Sequence, residues 1–276
     1  MATLKSIRKR IISTQSTKKL THAMKMIASS RMRKAQQRVC TARAYNKELR
    51  RILLEIVKEQ KEISSFLLNP QEDEKGIVNI FVISSDRGLC GTFNEHLLKK
   101  VRATLDKRYR IFVIGKKGRD FFRRNGIEIE KVCAQPDLSK EMNLAIERYR
   151  KGEIDEAYIA YNKFQSLGSI EPSIERILPV DLGDFMPVLS VDHICEPGAE
   201  EVIERAIKRT METGFLLAYL ESSAAELSAR MIAMEMATKN ADDLIISLTQ
   251  VYNKARQATI TRDLIDIVGG AEALKR

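Results

Sequence analysis

Tryptophan is absent from this 276-residue chain, and aromatic residues of all kinds make up only 6% of it. A thick aromatic core is thereby excluded, although a hydrophobic content of 44% suffices for a core of smaller side chains. Ala, Ser, Thr, Met and Leu carry much of the apolar work, which suits helices that approach one another closely. The four cysteines, Cys40, Cys90, Cys133 and Cys195, include no CxxC pair. That excludes the usual zinc and redox spacings and predicts free thiols in a reducing compartment. No apolar run approaches the roughly 20 residues that span a bilayer. Met1 to Arg10 lacks the apolar stretch of a secretory signal, so the chain reads as mature and intracellular. Neither proline nor glycine occurs before Pro70, so no strong breaker interrupts a helix in that stretch.

Acidic residues are nearly missing from the same stretch. Met1 to Arg51 holds fifteen Lys and Arg against one acid, Glu48, a net charge of +14. The whole chain nets +10, so residues 52 to 276 come to −4. Basicity therefore belongs to one element. It requires an acidic or phosphate-bearing neighbour.

That element has a coiled-coil seam, with apolar or small residues in alternating steps of three and four. The seam falls on Leu4, Ile7, Ile11, Thr14, Lys18, Thr21, Lys25, Ala28, Met32, Ala35, Val39, Ala42, Asn46, Leu49, Leu53 and Ile56. Lys18, Lys25 and Asn46 interrupt it. A helix of about 55 residues would be about 80 Å long. The C-terminal segment carries a cleaner seam: Leu217, Leu220, Ala224, Leu227, Met231, Met234, Thr238, Ala241, Ile245, Leu248, Tyr252, Ala255 and Thr259. Only Gly214 interrupts the helical pattern from about Ala199 to Val268, and it marks a possible bend. Each helix is the cheapest partner for the other. An antiparallel pairing follows if the middle of the chain brings Ile56 near Val202. The longer C-terminal helix is then expected to project beyond its partner or to pair with its first turns.

The middle, Gly76 to Asp192, alternates strand and helix patterns. The run Ile77 to Ile83 is nearly continuous and apolar, as in a buried parallel strand. Helix is expected from Asn94 to Asp106, strand from Arg110 to Ile114, and helix after Gly115 to Arg124. A short strand, Ile127 to Cys133, precedes a helix capped by Ser139 and running through Tyr149. Ala157 to Phe164 and Ser173 to Val180 read as further strands. Such alternation predicts an open, mostly parallel α/β sheet of Rossmann-like type. The expected fold is thus α/β plus a long antiparallel coiled coil, with divisions at 1–60, 76–192 and 199–276. Glu62 to Lys75 and Asp181 to Gly198 read as polar linkers.

Chemical candidates are few. Asp86-Arg87-Gly88-Leu89-Cys90-Gly91 follows the first strand, where phosphate sites sit in α/β folds. It lacks the glycine spacing of a dinucleotide fingerprint and the Gly-Lys-Ser/Thr of a P-loop, and Asp86 would repel a phosphate. Gly115-Lys116-Lys117-Gly118 is similarly incomplete. A structural turn is the simpler reading of both. Cys90 and His96 lack an orienting third group, and His22, His96 and His193 are too dispersed for a metal site. No catalytic, cofactor-binding or metal-ligating residue is expected. Met24, Met26, Met32, Met231, Met234 and Met236 fit a coiled-coil core better than a Met-rich binding face. A basic helix could also bind nucleic acid, but Tyr45 is its only aromatic and no recognition module accompanies it.

Three separated motifs, in order, resemble the gamma subunit of rotary F-type ATP synthases, and the resemblance runs essentially end to end. The first is Ile7-Arg8-Lys9-Arg10-Ile11 with Thr17 to Lys34, including Ala23-Met24-Lys25-Met26-Ile27-Ala28. The second is Ser85-Asp86-Arg87-Gly88-Leu89-Cys90-Gly91. The third is Val251-Tyr252-Asn253-Lys254-Ala255-Arg256-Gln257-Ala258-Thr259-Ile260-Thr261, followed by Ile265 to Ala271. The cysteine-bearing insertion of the chloroplast form is absent, so the bacterial form is the nearer match.

The resemblance implies a central shaft inside a ring of three alpha and three beta subunits, with the catalytic sites in those partners and none in this chain. It implies an epsilon subunit and a membrane ring of c subunits as further partners, no nucleic acid, and no cofactor. Its location would be the cytoplasmic face of the bacterial inner membrane, held there only through the complex. Arg256 and Gln257 match positions that hydrogen-bond a loop of one beta subunit. Lys18, Met24 and Lys25 match the stretch beside the acidic lever of beta. Glu196, in His193-Ile194-Cys195-Glu196, matches the lower end that meets the membrane ring, although Cys195 stands where an aromatic residue is familiar. The two other readings are a basic coiled-coil nucleic-acid-binding protein and a small α/β nucleotide-binding enzyme with helical arms.

Overall fold

The computed structural model describes residues 3–59, 67–68, 76–106, 108–133, 138–181, 195–196 and 198–273. Ten elements are found among them: α1 (Leu4–Glu59), β1 (Val78–Ile83), α2 (Phe93–Thr104), β2 (Tyr109–Ile114), α3 (Lys116–Arg124), β3 (Lys131–Cys133), α4 (Leu138–Arg150), β4 (Glu156–Ser166), β5 (Ser169–Leu178) and α5 (Ala199–Ala273). They fall into two compact units, Met1–Ala28 with Met231–Arg276 and Ser29–Arg230. The linker expectations at 62–75 and 181–198 lie almost wholly outside the described residues, and so does His193.

Local chemistry accounts for the long helices. Thr3 caps α1, its Oγ1 accepting the N–H of Ser6 at 3.3 Å. The hydroxyls of Thr14, Ser16, Thr17 and Thr41 donate to the carbonyls four residues back, within the helix. At the start of α5, Glu200 and Glu201 place negative charge in the first turn, where the helix dipole favours it. Helix α5 is continuous through Gly214. A Cβ at Gly214 would meet nothing within 4 Å. Gly214→Ala is therefore expected to stabilise the protein by about 0.5–1 kcal/mol, read as a higher urea midpoint. An unchanged or lower midpoint would mean that the glycine is needed there.

In the larger unit the sheet order is β3-β2-β1-β4-β5, parallel except for the β4–β5 hairpin. The parallel register sets Phe81 beside Phe112 and Ile159, and Val82 beside Val113 and Ala160. One face, with Ile80, Val82, Ile111 and Val113, packs on α2 and α3 through Leu97, Leu98, Val101 and Phe122. The other face carries Phe81, Ile83, Phe112 and Ile114. It is covered by Met142, Ile146 and Tyr149 of α4, by Leu53 and Ile56 of α1, and by Ile203, Ile207, Met211 and Phe215 of α5. The long helices thus form part of the α/β core in this unit. Their inner sides also pack Met32, Val39, Ala224 and Ala225 against Cys90, Phe93 and Phe164.

Three local expectations are corrected. The third strand starts only at Lys131, because Glu130 N–H bonding to the Ile111 carbonyl at 2.9 Å is its first link to β2. Helix α4 begins at Leu138, so Ser139 lies inside it and not at its cap. Thr259, placed in the C-terminal seam, is exposed.

Candidate functional site

In the smaller unit, α1 and α5 pair in antiparallel fashion. Lys25 Nζ meets Glu235 Oε1 at 2.5 Å. Thr238 Oγ1 donates to Thr21 Oγ1 at 2.8 Å. Lys18 pairs with Asp242. Each step toward the start of α1 is a step toward the end of α5. Along the same pairing, Ile7, Ala28, Met234 and Ala241 are buried. Ala28 is only 2% exposed. Every α1 seam position is buried or half-buried, and so is every α5 position up to Ala255. The seam lysines are compatible with this packing because acids on α5 meet their ends.

Beyond Ala255, every α5 residue whose side chain is described is exposed. The pairing register explains this: Lys25 with Glu235 and Lys18 with Asp242 bring α1 to its first residues opposite about residue 256. The last turns keep Ile260, Leu264, Ile265, Ile267 and Val268 at 50–68% exposure. A helix end this apolar and uncovered is a docking surface by its chemistry.

The expected contact residues are placed as follows. Lys18 and Lys25 are half-exposed and already paired, Met24 is half-buried beside them, and Arg256 and Gln257 are exposed on α5. Lys18 and Arg256 lie about 20 Å apart along the shared axis, given the register and the helical rise. They form two levels of one rod and not one cluster. Glu196 is exposed and belongs to the larger unit. Sequence reasoning missed the acids Glu235 and Asp242 as partners of the seam lysines. Their spacing of seven, equal to that of Lys18 and Lys25, was the available signal.

The glycine-bearing loops have a structural role. Asp86 Oδ1 accepts the N–H of Lys116 at 3.1 Å, the Ser85 carbonyl that of Lys117 at 3.0 Å, and Ser84 Oγ that of Gly118 at 2.9 Å. These are the donors that a phosphate would need at the start of α3. A Cβ at Gly115, where φ is 96°, would come within 2.2 Å of the Ser84 carbonyl oxygen. Glycine is required there for close approach of strand and helix, not for a ligand. A cavity of about 370 Å³ opens nearby, lined by Asp86, Lys116, Arg119 and Glu226 among others. Burial pushes the Glu226 carboxyl up, and its 2.6 Å bond to Arg230 opposes that.

The loop from Ser85 to Gly91 is fastened on both sides. Ser85 Oγ donates to the Arg87 carbonyl at 2.8 Å, and Asn94 Nδ2 donates to Ser85 Oγ at 2.8 Å. From α5, Arg230 reaches the carbonyls of Arg87 and Gly88 at 3.4 and 3.3 Å. In open α/β sheets ligands bind where the strand order reverses, here between β1 and β4. Cys90, Phe93 and Phe164 occupy that end of the strands and pack against the long helices. Cys90 is buried and burial pushes its thiol up, while His96 is exposed, so the two do not form a nucleophilic pair. Among the described residues no group of His, Cys, Asp and Glu is arranged to hold a metal ion. None of the described helices is long and apolar enough to cross a membrane.

A family model described as ATP synthase matches residues 3–274. The ATP synthase gamma chain of Glaesserella parasuis is 38% identical over 290 residues, covering 99% of this chain and all of that one. That of Chloroherpeton thalassium is 35% identical over 307 residues, covering all of this chain and 99% of that one.

The chain belongs to the ATP synthase gamma-chain family.

Solved structures agree on the fold. A chain of the Euglena gracilis mitochondrial ATP synthase, from a structure titled OSCP/F1/c-ring, superposes with a TM-score of 0.70 at 18% identity, covering 98% of this chain and 94% of that one. A chain of the Tetrahymena thermophila mitochondrial ATP synthase, from a structure titled central stalk/c-ring, gives 0.58 at 24% identity, covering 79% and 99%. The α/β-plus-coiled-coil architecture is therefore a fold that these chains share. The motifs at Ser85 to Gly91 and Val251 to Thr261 are, respectively, a loop clasped by α5 and the point where α5 outruns α1.

Proposed function

We propose that this gamma chain is the central rotor shaft of an F-type ATP synthase, coupling rotation of a membrane ring to ATP synthesis and hydrolysis on beta subunits. It carries no active site of its own. The observation that carries the proposal is the end of α5 beyond Ala255, apolar and uncovered by any described part of the chain. A sleeve formed by three alpha and three beta subunits would cover it without fixing it. In this reading residues 1–60 and 199–276 are the shaft. Residues 76–192 serve the epsilon subunit, and Glu196 faces the polar loops of the c-ring. The complex holds the chain at the cytoplasmic face of a bacterial inner membrane. Nucleic acid has no role.

The mechanism rests on weak, repeated contacts. Surface ion pairs contribute typically under about 1 kcal/mol each, so a basic face can pass acidic segments of three partners in turn without locking. Arg256 and Gln257 form a polar contact with beta at one level, and Lys18, Met24 and Lys25 meet the beta lever at the other. Lys18 and Lys25 share their charge with Asp242 and Glu235, which softens their attraction to a partner further.

The test is reconstitution. Alpha and beta subunits assembled with this chain should give a rotating ATPase, and addition of the membrane sector in sealed vesicles should couple it to proton pumping. If they do so equally well without it, the shaft reading fails. A second measurement addresses the lever level. Met24→Lys adds an unpaired cation beside the neutralised Lys25, strengthening attraction to an acidic lever. Protons pumped per ATP should fall while assembly is retained, and an unchanged ratio would exclude Met24 from the coupling contact.

A further inference from the structure

Two polar links, each with a buried member, join α1 to α5 within the larger unit. Asn46 Oδ1 accepts the hydroxyl of Thr213 at 3.1 Å, and both residues are 9% exposed. About one turn away on α1, Arg43 donates from Nε to Glu221 Oε1 at 2.8 Å. A second nitrogen of the same guanidinium donates to the Phe164 carbonyl of β4. Arg43 is thus bonded to α5 and to the sheet at once. Glu221 is 2% exposed, and its other oxygen, Oε2, has no hydrogen-bond partner among the described residues. Nearby on the same helices, Met32, Val39, Ala224 and Ala225 pack through apolar contact.

Stability does not account for these links. Taking a carboxylate out of water is costly, and apolar residues in place of a buried pair are often as stable or more so. The bare Oε2 adds to that cost. What a polar link supplies, and an apolar contact does not, is direction. Hydrophobic attraction is non-directional, and packed helices slide over one another in small shear steps. A hydrogen bond weakens steeply when it is stretched or bent. Sliding of α1 along α5, or rolling of either helix against β4, therefore breaks at least one of the bonds at Arg43 and Asn46. We propose that Arg43, Asn46, Thr213 and Glu221 are positioning residues that lock the register of α1, α5 and β4, so that the two helices turn with the sheet as one body. Fixing register is the best-attested use of buried polar groups between helices. In a shaft, the lock keeps applied torque from being lost as play between the helices. That last step rests on the rotor reading, and the lock itself does not.

The test compares the unaltered full chain with the double variant Arg43→Met, Glu221→Met, in which apolar side chains replace the pair. Spin labels report the distance between the helices. One is placed on Cys40, exposed on α1, and one on Leu216→Cys, at an exposed position of α5. Cys195→Ser removes the other accessible thiol, since Cys90 and Cys133 are buried. The chain with the pair intact should give one narrow distance distribution. The double variant should give a broader distribution or a second peak, while its urea midpoint stays near that of the unaltered chain. In sealed vesicles carrying the complete complex, it should also pump fewer protons per ATP hydrolysed, the more so as the opposing gradient is raised. A merely structural defect lowers the amount of active complex and not this ratio. The double variant Asn46→Leu, Thr213→Val should act in the same direction, and it decides the matter if the first variant fails to fold. A distribution as narrow as that of the chain with the pair intact overturns the lock. A broadened distribution with an undiminished pumping ratio overturns its part in coupling. If the unaltered complex itself does not pump, the rotor reading fails, and the distance measurement still decides the lock.

Discussion

Arg43→Ala is expected to destabilise the larger unit by about 3–5 kcal/mol, the cost of stranding a buried charge. Glu221 lies almost wholly out of water, with one oxygen on Arg43 and the other bare. The hydrogen bond to Glu221 pushes the Arg43 guanidinium up. Arg43 also donates to the Phe164 carbonyl, joining α1 to β4. Removing it leaves a carboxylate and a carbonyl without their donor at once. Few domains have more than about 5–15 kcal/mol of total stability, so the loss should be plain in a urea titration. The double variant Arg43→Met with Glu221→Met should recover most of it, because apolar replacements of a buried pair are often near neutral. A single-variant loss below about 1 kcal/mol would mean that water reaches Glu221 freely.

Arg256→Ala is expected to act in the opposite way, leaving the chain's fold intact and damaging its work. Arg256 is exposed, is not part of the seam and makes no ion pair with any described residue. Nothing internal is lost when it is truncated, so helicity and unfolding midpoint should change little. In the proposed complex it makes a charge-assisted hydrogen bond to a beta loop, worth about 1.5–3 kcal/mol. Losing that bond should lower coupled ATP synthesis about tenfold or more. Circular dichroism of the isolated chain and synthesis in reconstituted membranes separate the two effects. A fall in helicity would assign Arg256 to internal packing, and undiminished synthesis would remove it from the coupling contact.

The two long helices were legible because their signal is periodic. A seven-residue repeat over many turns is repeated evidence for one answer, and the α1 seam holds at every position despite Lys18, Lys25 and Asn46. Those three breaks have individual explanations that no single-helix pattern contains. Lys25 and Lys18 meet acids across the pair, and Asn46 accepts a hydrogen bond from Thr213 at 3.1 Å. The seam failed only at Thr259, where the periodic pattern continues but the partner helix has ended. Periodicity describes which face a helix offers and not whether anything is there to meet it.

The incomplete glycine loops were legible as incomplete, but their purpose was not. Gly115 reads as one more turn residue until the Ser84 carbonyl is placed within reach of its missing Cβ. Likewise the orphan oxygen of Glu221 has no sequence signal, since an acid on a long charged helix ordinarily faces water. Its burial arises because β4 and β5 close over that side of α5.

By itself the amino-acid sequence determined the helices, their antiparallel pairing, the parallel sheet between them and the concentration of positive charge at the start. Local propensity and hydrophobic period decide these, and both are properties of neighbours along the chain. Tertiary structure alone decided which charges are spent internally, which backbone donors are closed to phosphate, where α5 loses its cover, and which carboxylate is left in a cavity. Each depends on groups far apart in sequence meeting at a distance of a few ångströms, and hydrogen bonding and desolvation act only at that range.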